Sequence, residues 1–200
     1  MLSRPEEKDL EKMAQPSTIY RVDIQLSDID RGLYESLLVT VARHPSETEE
    51  RLLARILAYA LYYEPELTFT KGVGAGDEPD LWSKGPDGRV RHWIEVGIPD
   101  AERLIKASRH SEQVVLCAFG SSLPIWEKQQ LPKLTGISNL TVISLDLAFL
   151  RSLSERLQRS ISWSLTFTEG SLYLAMNGET LESAVINLMG PDAHQRTGAP

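Results

Sequence analysis

Two short apolar runs between Asp77 and Gly97 each carry one carboxylate, and this constrains the fold more than any other feature of the chain. Asp80 follows Pro79 and opens Leu81-Trp82, while Glu95 sits inside Trp93-Ile94-Glu95-Val96. Gly85-Pro86-Asp87-Gly88 lies between them as a turn signal, so the runs read as neighbouring strands near Asp80–Lys84 and Arg89–Val96. A charge inside an apolar strand is costly unless it is paired or bound to a metal. Two such acids on adjacent strands form a candidate site for a hard cation such as Mg²⁺, with Mn²⁺ as a substitute, because these ions take oxygen ligands. The plainer alternative makes Asp80 a turn cap and Glu95 a paired strand acid. Trp82 and Trp93 are expected to pack across the hairpin.

The segments around this hairpin read in order. Tyr20, Val22, Ile24 and Leu26 alternate with polar residues, and Leu33, Leu37, Val39 and Val41 continue the pattern, predicting an antiparallel hairpin. Ser46 with Glu49 fits a capping box for a helix running to about Tyr62. Leu53, Leu57 and Leu61 line its buried side, leaving Arg51 and Arg55 on an expected wet face. Lys71–Gly76 is a glycine-rich loop without the Gly-Lys-Ser/Thr ending of a phosphate-binding loop. Pro99-Asp100 starts a helix to about Arg109, on which Arg103, Lys106 and His110 recur at helical spacing. Gln113–Phe119 and Leu140–Leu145 are continuous apolar runs of the kind found in the middle of a sheet. A short helix near Ile125–Gln130 and another over Leu147–Leu157 flank the second of these. The last third alternates over Ile161–Thr168 and Leu172–Met176, turns at Asn177-Gly178, and ends in a strand or short helix over Leu181–Leu188.

Two hundred residues suit a single domain over residues 16–189. The charge-dense stretch within residues 1–15 and the tail from 190 to 200 read as disordered flanks, with Met13 a candidate natural start. A net charge of −7 argues against broad duplex coating, which needs Lys and Arg to neutralise phosphates, but leaves room for a local nucleic-acid contact or a protein partner. One cysteine, Cys117, cannot form an internal disulfide, which fits a reducing cytoplasm. No apolar stretch approaches the roughly 20 residues of a membrane span.

Arg43-His44-Pro45-Ser46-Glu47-Thr48, Phe69-Thr70-Lys71-Gly72, Asp77–Trp82 and Trp93–Gly97 together resemble the YaeQ family of bacterial proteins, over about Thr18 to Met189. The family is similar to a variant of the PD-(D/E)XK nuclease fold. The resemblance therefore implies an α/β (mixed α+β) architecture: a mixed β-sheet flanked by helices, with a nuclease-like core and additional antiparallel strands. It gives Asp80 and Glu95 the roles of the two motif acids. Glu50 on the first long helix would complete the metal shell, with Glu47 as the alternate. Gly97 departs from the motif, because active relatives carry a lysine there to activate water and stabilise phosphate charge. Lys106 or Lys71 would have to supply a displaced ammonium. The resemblance thus implies a Mg²⁺-dependent phosphodiester hydrolase with a non-standard motif. Its alternative is a lapsed nuclease fold that binds a protein or nucleic acid through the cleft or through strand edges near Ile161–Leu188.

Overall fold

The computed structural model describes residues 16–71 and 76–191. The expected N-terminal extension, the centre of the glycine-rich loop and the tail beyond residue 191 lie outside the described residues. The elements run β1 (Thr18–Asp28), β2 (Leu33–Arg43), α1 (Glu49–Leu61), β3 (Thr68–Phe69), β4 (Leu81–Lys84), β5 (Val90–Val96), α2 (Ala101–Ser108), β6 (Ser111–Ala118), α3 (Leu123–Gln129), β7 (Leu140–Leu145), α4 (Leu147–Ser154), β8 (Ser160–Thr168), β9 (Ser171–Met176) and β10 (Glu179–Met189). Among the described residues they form one 10-stranded sheet in the order β2-β1-β8-β9-β10-β7-β6-β5-β4-β3. The pairings β1–β8, β5–β6 and β6–β7 are parallel and the others antiparallel. The protein is a mixed α+β fold with a large, mostly antiparallel sheet flanked by helices.

Hydrophobic pattern explains how the layers assemble. Strand β7 is buried along its whole length and β6 from Val114 to Ala118, as their unbroken apolar runs require for strands covered on both faces. Val115, Cys117, Ile143 and Leu145 face the core that contains α1 and α4. Val114, Leu116, Leu140 and Val142 face a second core with α2 and Trp126 of α3. Helix α1 is buried continuously from Leu52 to Leu61, because it is apolar nearly all round and packs against strands from both halves of the sheet. No described helix is long and apolar enough to cross a membrane.

Two local expectations change, the cap of α1 and the place of the last strands in the sheet, and one open alternative is settled. The N-cap of α1 is Thr48, whose hydroxyl accepts from the Arg51 amide at 3.2 Å, while the Ser46 hydroxyl turns instead to His44 Nδ1 at 2.7 Å. Helix α1 therefore starts later than the Ser46–Glu49 spacing suggests, and Glu47 lies just outside it. The final segment is a strand throughout: β10 pairs with β9 through Glu179–Ala184 and with β7 through Val185–Met189. That placement puts β8, β9 and β10 inside the sheet order, so its outermost strands are β2 and β3 rather than the Ile161–Leu188 meander. Trp82 and Trp93 lie directly opposite one another in the β4–β5 register.

Candidate functional site

Asp80 stands immediately before β4, where its amide donates to the Ile94 carbonyl at 3.0 Å and continues the hairpin ladder. Its carboxylate points inward and is 2% exposed. Oδ2 accepts from the Val96 amide at 2.8 Å. Oδ1 accepts from Arg51 Nη2 at 2.6 Å and lies 3.5 Å from Arg55 Nε. Glu47, in the connection between β2 and α1, is equally buried. Its Oε1 accepts from Arg51 Nη1 at 2.9 Å and Arg55 Nη1 at 3.1 Å, and its Oε2 from Arg55 Nη1 at 3.0 Å.

Arg51 and Arg55 are therefore not on a wet face. They occupy successive turns of α1, so both guanidinium groups project to the same side and bridge the two buried acids. Arg55 is only 1% exposed, and Arg51 is 24% exposed. Planar guanidinium groups suit this role because they stay charged and present several fixed donors to carboxylate oxygens.

Glu95 belongs to the same neighbourhood. Strand residues two apart share a face, so the Trp93 indole reaches forward and Nε1 donates to Glu95 Oε1 at 2.8 Å. Arg103 Nε of α2 donates to the same oxygen at 2.7 Å. The rest of that guanidinium clamps the chain before β4, with Nη1 on the Gly76 carbonyl at 2.6 Å and Nη2 on the Glu78 carbonyl at 2.7 Å. Burial pushes the Glu95 carboxyl above its ordinary range; Arg103 and the indole oppose this, and the negative charge of Asp80 adds to it. The two hairpin acids thus feel one another across the sheet.

The structure brings together Asp80, Glu95 and Glu47, the last through the shared arginines. It does not bring in the other sequence candidates. Glu50 is half-buried in the first turn of α1 and makes no ion pair among the described residues. Lys71 is exposed at the edge of the glycine-rich loop. Lys106 is 73% exposed, with Nζ 3.5 Å from Asp77 Oδ1 at the surface. The donor set does not fit a divalent metal as it stands. Both Asp80 oxygens and both Glu47 oxygens already accept from N–H groups, and among the described residues no three His, Cys, Asp or Glu side chains form a metal-holding group. The signal missed in the sequence was Arg55 itself, a lone charge within the apolar run from Leu52 to Leu61.

Gly97, where the resemblance to a nuclease motif would call for a lysine, holds φ at +112° while its amide donates to the Cys117 carbonyl at 3.0 Å. An added Cβ would meet nothing within 4 Å, so the obstacle to a side chain is the backbone conformation alone. Gly97→Lys is expected to lower stability by about 1–3 kcal/mol, measurable as a shift in urea midpoint at constant slope.

The sequence model of the YaeQ protein family matches residues 13–185. The YaeQ protein of Salmonella typhi is 37% identical over 171 residues, covering 85% of this chain and 94% of that one. The YaeQ protein of Escherichia coli (strain K12) is 35% identical over the same coverage. The crystal structure of the YaeQ protein from Pseudomonas syringae superposes with a TM-score of 0.85 at 43% identity, over 89% of this chain and 99% of that one. The YaeQ protein from Xanthomonas axonopodis pv. citri gives 0.84 at 33% identity, over 88% and 99%. With the sequence model spanning nearly all of the described fold, and two crystal structures sharing that fold, the chain belongs to the YaeQ family.

Proposed function

We propose that the chain is a binding module derived from a PD-(D/E)XK nuclease-like fold, in which arginines hold the acid cluster that a nuclease would give to a metal. The observation that carries this reading is the bridging of Asp80 and Glu47 by Arg51 and Arg55. A cation entering there would have to displace a guanidinium from each acid and would meet the repulsion of those that remained. The order helix, three strands, helix, strand from α1 to β6 supports the ancestry. Gly97 supports the loss of chemistry.

The second reading is a metal-dependent phosphodiester hydrolase using Asp80 and Glu95, assisted by Lys106 or Lys71. It is favoured by one feature. Glu95 Oε2 makes no hydrogen bond among the described residues, and burial, with a lesser push from Asp80, holds its carboxyl high. Calorimetric titration of Mg²⁺ and Mn²⁺ into the wild type and Asp80→Asn separates the two. The binding-module reading expects no saturable uptake at millimolar metal by either protein. Saturable binding by the wild type that Asp80→Asn abolishes would put the hydrolase first and call for a screen of DNA and RNA substrates.

A further inference from the structure

A cavity of about 360 Å³ opens beside the acid cluster, between β5 and α2. Gly76, Asp77, Trp93, Arg103, Lys106, Ala107 and His110 line it. We propose that this cavity binds a nucleotide, with the base stacked on Trp93 and the phosphate held by Lys106 and His110. The inference names a ligand for the binding-module reading and rests on it.

Four observations converge. Arg103, Lys106 and His110 are spaced three and four residues apart, and the turn continues past the end of α2 through the His110 amide on the Ala107 carbonyl at 3.0 Å, so all three reach one wall. The opposite wall is the Trp93 indole, whose orientation is fixed by its bond to Glu95 at 2.8 Å. Its register partner Trp82 is unavailable for stacking, because the Lys84 ammonium lies 3.6 Å from that ring's centre. The volume falls within the about 300–1,000 Å³ typical of small-ligand sites.

The charges divide by availability. Arg103 is committed to Glu95 and to the Gly76 and Glu78 carbonyls, so it supplies a fixed positive floor. Among the described residues Lys106 is held only by Asp77, at 3.5 Å and with that side chain 95% exposed, so its ammonium can turn to a phosphate. Asp77 is the one acid among the described residues of the lining, and its exposed side chain can swing into water. A flat aromatic wall in the same cavity as a loosely held ammonium and an imidazole matches a planar base joined to a phosphate. The acidic chain as a whole suits one nucleotide better than a coated duplex.

The test titrates the full chain in EDTA with AMP, adenosine and inorganic phosphate, read by tryptophan fluorescence and calorimetry. AMP is expected to bind with a dissociation constant on the order of 0.1–1 mM, and adenosine and phosphate each about tenfold or more weaker. Trp93→Leu and Lys106→Glu should each weaken AMP about tenfold. Lys106 is exposed, so Lys106→Glu keeps the test valid if Trp93→Leu does not fold. A 5′-phosphorylated thymidine pentanucleotide separates the sources of the ligand: tighter binding than a mononucleotide marks a strand end, equal binding a free nucleotide. AMP binding no better than phosphate, or unchanged in Lys106→Glu, overturns the proposal. EDTA keeps this outcome apart from the metal question: failure to bind AMP overturns the ligand and leaves the arginine-held acid cluster standing, whereas saturable metal uptake in the separate titration overturns the reading on which the ligand rests.

Discussion

Arg55→Ala is expected to destabilise the protein by about 3–5 kcal/mol, the range for removing one partner of a buried ion pair. Arg55 Nη1 serves both oxygens of Glu47, whose side chain has no solvent exposure, and Arg55 Nε is the second cation beside Asp80. Without Arg55, Glu47 keeps only the partly exposed Arg51, and its Oε2 loses its donor inside the fold. For a chain of this length each kcal/mol shifts the thermal midpoint by roughly 2–4 °C, so the effect is measurable by calorimetry as well as by urea. The double variant Arg55→Met/Glu47→Gln distinguishes pairing from packing. It removes both charges at similar volume and should recover much of the loss, because the single variant's cost comes from the stranded carboxylate. Recovery by Arg55→Met alone, which refills the buried stem but leaves the Glu47 carboxylate stranded, would assign the effect to packing instead.

The same arginine marks where sequence reading stopped. Element types were legible because period and punctuation agree: alternation gave β1, β2, β8 and β9, and the apolar runs gave β6 and β7. The two hairpin acids were legible because a charge inside an apolar strand must have a partner. The partner's identity was not. A helical wheel places Arg51 and Arg55 away from Leu53, Leu57 and Leu61, and that logic assumes a helix with one wet side. Helix α1 has none over Leu52–Leu61, because strands on both halves of the sheet and α4 share its core. Enclosure of this kind depends on how β1, β2, β8 and β9 join the same sheet as β5–β7 through the split pairing of β10, which no local pattern encodes. The choice between Glu47 and Glu50 turned on a two-residue shift of the cap: Thr48, not Ser46, starts the helix, so Glu47 falls in the connection and turns inward. Arg103 was legible as a cation at helical spacing, but its engagement with Glu95 is a tertiary fact.

Asp80→Ala gives the second large effect, and its sign bears on what the cluster is for. In a catalytic cluster, acids are held against their mutual repulsion, and removing one commonly raises stability because activity had been kept at that cost. In this chain Asp80 answers to three groups at once: it accepts from the Val96 amide at 2.8 Å and from Arg51 Nη2 at 2.6 Å, and it lies 3.5 Å from Arg55 Nε. Arg55 Nε has no hydrogen-bond partner among the described residues, so Asp80, at 3.5 Å, compensates that end of the buried charge. Asp80→Ala should therefore cost about 3–5 kcal/mol, and Asp80→Asn less, about 1–3 kcal/mol, since an amide oxygen still receives the Val96 N–H. Urea unfolding at constant slope measures both. Relief of repulsion between Asp80 and Glu95 acts the other way, and Arg103 already offsets it at Glu95 from 2.7 Å. A rise in stability on removing Asp80 would mean that repulsion outweighs the arginine bridges, and the cluster would then be poised for a cation rather than closed against one.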